Sequence, residues 1–239
     1  MECTEQKDIV NENEEIKEEI QEENIEEVEE SVDDSEMYDE PVDPQIPRIA
    51  KFEKVSFVEF CRVYKPIWIE NQKIIAMQNG QDVTDAFGYS EQEFQETAAA
   101  IYDCIQLPTR ATKGSAGYDF VFPFGRTELV ANANMNIPTG IKCNIATGWY
   151  LQLVPRSSLG RDFRIQLDNT IGIIDSDYYN SKENEGHIMV KITNDSREGK
   201  TCVFETGSRF CQGILVPFGI TVDDDVDTER VGGHGSTGR

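Results

Sequence analysis

Hydrophobic and polar positions divide this chain into three regimes. Over residues 1–47 the apolar residues are sparse: Ile16, Ile20, Ile25, Val28 and Val32 stand three to five apart in a run dominated by Glu. That spacing traces a narrow helical stripe, but the charge around it is one-sided, so the segment reads as a disordered or partly helical solvated arm. Pro41, Pro44 and Pro47 then mark a linker. From Arg48 the run RIAKFEKVSF alternates with period two and predicts a strand. Ser56 followed by Glu59 is a capping-box pattern that opens a short helix, expected to end near Tyr64 ahead of Pro66. A second box, Ser90 with Glu93, opens a helix whose Phe94, Ala98, Ile101 and Ile105 share one face and which ends near Leu107-Pro108.

Beyond Pro108 helical periodicity disappears. Short runs such as MNIPTGIKCNI, WYLQLVP, RIQLDN, HIMVKITN, KTCVFE and FCQGILVPFGITV alternate with Gly, Asn, Asp and Pro, an all-β pattern of sandwich or barrel type. The organisation expected is an acidic arm over 1–47, a strand with a helical insertion over 48–107, a β core over 108–229 and a Gly-rich tail over 230–239.

Composition sharpens this division. The chain has 239 residues, 38% of them apolar, enough for one domain with extensions. Its net charge of −23 is uneven: residues 1–47 hold 20 Asp/Glu and 2 Lys/Arg, leaving 25 acidic and 20 basic residues, a net of −5, for 48–239. Such an arm repels nucleic-acid phosphate and suits, if anything, an unidentified protein partner. The six cysteines, Cys3, Cys61, Cys104, Cys143, Cys202 and Cys211, form no CxxC pair, which argues against zinc and for free thiols in a reducing cytoplasm. No basic-then-apolar leader and no membrane-length apolar run is present in the sequence, so no membrane association is expected.

Four segments of the β region place polar groups where strands meet loops. KGSAGYDF puts Asp119 after small residues, where it suits a hydrated cation or a simple turn cap. Pro155-Arg156-Ser157-Ser158-Leu159-Gly160 follows an apolar strand and offers a guanidinium, two hydroxyls and open backbone N–H groups, which fit a phosphate chain or a plain strand-end turn. Gly172-Ile173-Ile174-Asp175-Ser176-Asp177-Tyr178 sets carboxylates between an apolar run and an aromatic ring. Arg230 to Gly238 is Gly-rich but lacks the Gly-Lys-Ser/Thr ending of a Walker loop.

Together with Arg209 to Gln212, these segments stand in the order of the trimeric dUTPase signatures A-G-Y-D, P-R-S-G-L, G-x-I-D-x-D-Y, R-x-x-Q and R-x-G-G-F/H-G-S-T-G, and the chain resembles that family over residues 108–239. The resemblance implies a distorted jelly-roll-like β-barrel, a homotrimer whose sites draw on all subunits, and hydrolysis of dUTP to dUMP and pyrophosphate with Mg2+. It implies that Asp175 activates the water that attacks the α-phosphorus, and that Tyr178 packs on the deoxyribose and excludes a 2′-hydroxyl. Asn169, with main-chain groups at Gly172, Ile174 and Met189, would read uracil. Arg156, Ser157, Ser158 and Gln212 would bond the phosphates, Asp119 would bond the waters of the metal, and Arg230, His234, Gly235, Ser236 and Thr237 would come from an arm closing over a neighbouring subunit's site.

Departures from the pattern are Ser158 where Gly is usual, His234 where Phe is frequent, a longer turn at 179–186, and the helical region 48–107. Two other functions fit the same resemblance: a dCTP deaminase-like enzyme, and a nucleotide sensor that keeps the fold for regulatory binding.

Overall fold

The computed structural model describes residues 46–81, 88–228 and 230. The expectations for the acidic arm and for His234, Gly235, Ser236 and Thr237 therefore fall outside the described residues. The chain divides between Pro47 and Arg48 into two units, and the second carries the elements that follow.

The alternating run after Arg48 forms β1 (Ala50–Lys54), and two helices follow it, α1 (Phe57–Gln78) and α2 (Glu91–Cys104). Helix α1 does not stop before Pro66 but continues for three further turns. An internal proline costs a helix about 3 kcal/mol. Here Phe60, Tyr64 and Trp68 straddle it at four-residue spacing and are all buried, so packing of one continuous face outweighs the missing hydrogen bond. Tyr64 stacks on Phe124 with ring centroids 5.3 Å apart, and Trp68 meets Phe94 of α2 edge-on at 5.5 Å. Both N-cap serines make their cap bond, Ser56 Oγ accepting from Glu59 N at 3.1 Å and Ser90 Oγ from Glu93 N at 3.2 Å. The reciprocal half of the first box does not form, since Ser56 N donates to Glu185 instead of Glu59.

The rest is antiparallel β-structure. Its strands are β2 (Thr109–Arg110), β3 (Tyr118–Val121), β4 (Thr127–Leu129), β5 (Asn134–Pro138), β6 (Ile141–Ile145) and β7 (Trp149–Pro155). After the two-turn helix α3 (Ser157–Phe163) come β8 (Ile165–Leu167), β9 (Gly172–Ile174), β10 (Met189–Asn194), β11 (Cys202–Phe204) and β12 (Arg209–Pro217). They pair as β1-β6, β5-β10-β8, β11-β4 and the five-stranded β2-β3-β12-β7-β9. This is a mostly-β, jelly-roll-like fold, as the alternation and the motif order imply. Period-two burial is explicit in β6, where Ile141, Cys143 and Ile145 face the core and Asn144 faces out. The core is aromatic-rich, with Phe120, Phe122, Phe204 and Phe210 fully buried together with Leu151 and Leu153.

The five-stranded sheet explains why segments far apart in sequence share chemistry. The first motif lies on β3, the fourth on β12, the second just past β7, and the third on and after β9, and these strands are successive neighbours. A bulge between Arg209 and Cys211 lets both Arg209 and Gln212 face Asp119 on β3, a side-chain arrangement that strict alternation over three residues would forbid.

Candidate active site

Asp119 is the hub of the first grouping. Its carboxylate is buried, yet it accepts a hydrogen bond from Gln212 Nε2 at 3.0 Å and lies 3.3 Å from Arg156 Nε and 3.2 Å from Arg209 Nη1. A carboxylate can be buried only if its charge is matched, and here two guanidinium groups and an amide match it. Three of the sequence motifs therefore meet on one side chain. Gly117 is close-packed beneath Gln212, since a Cβ there would come within 3.2 Å of the Gln212 amide carbon. Arg156 is also the N-cap residue of α3 and makes no side-chain cap bond, while Ser157, exposed, and Ser158, half-buried, begin the helix's first turn. Among the described residues no three His, Cys, Asp or Glu side chains gather to hold a metal ion.

The second feature is a cleft of about 640 Å³ between β9 and β10 whose lining includes Asn169, Gly172, Ile174 and Met189 together with Leu153 and Asp168. All four residues assigned to base recognition thus line one cavity. Gly172 packs tightly there, since a Cβ would approach the Leu153 side chain to 3.0 Å. Asp168 is fixed by Lys191 Nζ at 2.8 Å and by Thr193, and the Lys191 bond holds its carboxyl below the ordinary range.

The third grouping surrounds Asp175. Ile174 ends β9 and the chain turns through a single 3-10 turn, Ser176–Tyr178, with Asp175 as its N-cap residue. Arg230 pairs with Asp175, places its Nε 2.8 Å from Asp177 Oδ1, and sets its guanidinium 5.7 Å from the centre of the Tyr178 ring. Tyr178 is buried; its hydroxyl donates to His187 O at 3.0 Å and accepts from Asn184 Nδ2 at 2.6 Å, and burial raises its pKa.

A single chain does not unite these groupings. Asp119 opposes Gln212, which opposes Val154, near one end of β7, whereas Ile174 opposes Leu151 and Asp175 continues toward the other end. Four residues of strand separate the two positions, about 13 Å, and three strand spacings of about 4.8 Å lie across the sheet.

Arg209 was visible only as the first letter of a motif, and its contact with Asp119 depends on the bulge. The contact between Glu59 and His187 was not legible, because the two meet across 128 positions of sequence.

Comparison with known proteins agrees with the motif order. Residues 103–238 match the family described as dUTPase. The chain is 40% identical over 138 residues to the deoxyuridine 5'-triphosphate nucleotidohydrolase of Lactococcus lactis, which covers 56% of this chain and 89% of that protein. It is likewise 40% identical over 141 residues to that of Pectobacterium carotovorum, covering 56% and 87%. The solved structure of a dUTPase from Streptococcus mutans shares 40% identity over 51% of this chain and 91% of its own, with a TM-score of 0.44. With more than half of its length matched, this chain belongs to the dUTPase family of enzymes.

Proposed function

We propose that this protein is a dUTP diphosphatase that converts dUTP to dUMP and pyrophosphate at sites shared between the subunits of a homotrimer. The observation that carries the proposal is the cleft walled by Asn169, Gly172, Ile174 and Met189, with Asn136 beside them, because apolar walls with a few amide side chains and strand main-chain groups suit the edge of a pyrimidine base. A 5-methyl group would collide with its wall, and a 4-amino group would meet the wrong hydrogen-bond partner.

In this mechanism Asp175 accepts a proton from a water whose oxygen bonds to the α-phosphorus as the bond to the bridging oxygen breaks and pyrophosphate departs in line. The Asp175 side chain is half-exposed and so open to solvent. Arg230 moves its charge from Asp175 and Asp177 to the phosphates when the triphosphate is in place, which frees the carboxylate to act as a base. Arg156, Ser157, Ser158 and Gln212 hold the phosphate chain, and Tyr178 faces the sugar. The single buried carboxylate at Asp119 is too poor a ligand set to hold a cation alone, and it fits one carried by the phosphates and bonded through water. Asp119 would hold such an ion, magnesium in this reading, through its waters, and the ion would supply positive charge against the departing pyrophosphate.

The distance between Asp119 and Asp175 along the sheet supports trimeric assembly, since one α-phosphorus would need both groups near it. The described thiols, Cys61, Cys104, Cys143, Cys202 and Cys211, are all free, which supports a cytoplasmic setting, and no helix among the described residues is long and apolar enough to cross a membrane.

The test is pyrophosphate release from dUTP, UTP, dTTP, dCTP, dATP and dGTP, with magnesium and then with a chelator. Release from dUTP alone, abolished by the chelator, is expected. Ammonia from dCTP, or comparable hydrolysis of several nucleotides, would overturn the assignment.

A further inference from the structure

Helix α1 and the long turn after Tyr178 are two of the places where the chain departs from the family pattern, and they touch. α1 lies outside the matched stretch of residues 103–238, whereas the turn lies inside it. Ser56, at the head of α1, donates from both its backbone N and its hydroxyl to the Glu185 carboxylate, the former at 2.9 Å. Because Glu185 occupies the Ser56 N–H, Glu59 does not close its half of the capping box. Its side chain turns inward instead. There it is buried, gripped on both oxygens by Arg62 at 2.7 and 2.9 Å, and 3.3 Å from His187 Nδ1.

His187 is wholly buried and its two ring nitrogens have different partners. Nε2 accepts from Gly140 N at 2.9 Å, so this nitrogen carries no proton and Nδ1–H points at Glu59. The main-chain oxygen of the same residue accepts the Tyr178 hydroxyl. Asn184 closes the loop by donating to that hydroxyl while its own oxygen accepts from Ser181 Oγ at 2.7 Å and Gly186 N at 3.2 Å. Gly186 has φ of +77°, and a Cβ there would stand 2.5 Å from Tyr178 O, so the turn closes directly against the Tyr178 main chain.

We propose that Glu59 is a positioning residue for Tyr178, acting through the His187 ring and main chain to fix the face that the tyrosine turns to the sugar. This rests on the reading of Tyr178 as the residue that rejects a ribose. With Glu59 removed, the buried Nδ1–H loses its acceptor, the imidazole reorients to find another, and the peptide that anchors the Tyr178 hydroxyl moves with it. Small displacements of a packed aromatic ring relax a steric filter more than they slow the chemistry, so discrimination is the sensitive readout.

The experiment compares kcat/KM for dUTP and UTP in the full-length protein and in Glu59→Ala, Glu59→Gln, Tyr178→Phe and Tyr178→Ala variants. Glu59→Ala is expected to lower the dUTP/UTP preference by about tenfold, chiefly through improved use of UTP. Glu59→Gln, which keeps an acceptor for Nδ1–H, is expected to restore it. A folded Glu59→Ala protein with unchanged preference, beside a Tyr178→Ala protein that has lost it, overturns the role of Glu59 and leaves the role of Tyr178 standing. Unchanged preference in Tyr178→Ala overturns both. If Glu59→Ala does not fold, Tyr178→Phe decides, since it keeps the ring and cuts the bond to His187; an unaltered preference there also refutes the proposal.

Discussion

The Arg230 guanidinium closes on the Asp175 carboxylate within one chain, bringing together residues 55 positions apart. The proposed base is therefore held by the same cation that would later grip the phosphates, and each releases the other when the triphosphate arrives.

Removing that base separates binding from chemistry. Asp175→Ala is expected to lower kcat by roughly 10²–10⁴, the range for loss of a positioned general base, while a non-hydrolysable dUTP analogue still binds. Calorimetric titration beside a pyrophosphate assay checks both halves. Near-normal turnover would remove Asp175 from the mechanism.

Asp119 has a structural role that the sequence did not announce. Asp119→Asn leaves Arg156 and Arg209 facing each other without a matching charge. Both guanidiniums are partly exposed, so solvent limits the penalty, and a loss of about 1–3 kcal/mol is expected by urea unfolding. A triphosphate analogue should recover part of the loss by supplying negative charge to the same cations. Equal stabilisation of both proteins by the analogue would argue that these arginines do not meet the phosphates.

His187 gives a pH dependence with a definite sign. Burial pushes its pKa down to about 4, against the opposing pull of the Glu59 carboxylate. The unfolded chain protonates this imidazole near 6.5, so it binds more protons than the folded protein throughout the interval between these values. The contribution of neutral His187 is therefore whole above about 6.5 and is lost as pH falls toward about 4, a change on the order of 3 kcal/mol. Arg62 and Glu185 also face the ring electrostatically. Urea midpoints measured across that interval are expected to fall more steeply in the parent than in His187→Gln; parallel curves would assign the acid sensitivity elsewhere.

Shared sites predict complementation. Neither Asp119→Asn nor Asp175→Asn alone is expected to turn over dUTP well, but unfolding and refolding the two together should return a fraction of parental activity. That fraction arises from sites that take each aspartate from an intact copy. No recovery in refolded mixtures, with trimers present by light scattering, would place both carboxylates in one chain's site.

The β core was legible because period-two burial is a local signal, as in the alternation of Ile141, Cys143 and Ile145. The chemistry was legible for a different reason: five short motifs keep their order even though the strand order that joins them does not follow the sequence. What escaped depended on tertiary partners. Pro66 reads as a helix stop until Tyr64 and Trp68 are seen buried on either side of it. The Ser157 segment reads as a turn, and only the structure reveals a short helix. The Glu59–His187 contact has no local signature, because it joins a helix start to a turn on the far side of the sequence.

Ile105, just past the second helix, rests on the bare Cα of Gly140, where any side chain would strike its Cδ1 at 2.3 Å. Gly140 also gives its N–H to His187. The barrel is consequently not a portable module: trimmed to the matched stretch of residues 103–238 it would keep Ile105 but lose the helix that carries Glu59, leaving a buried imidazole facing water where a carboxylate had been. Any compact version of this enzyme would have to redesign that seam as well as shorten the chain.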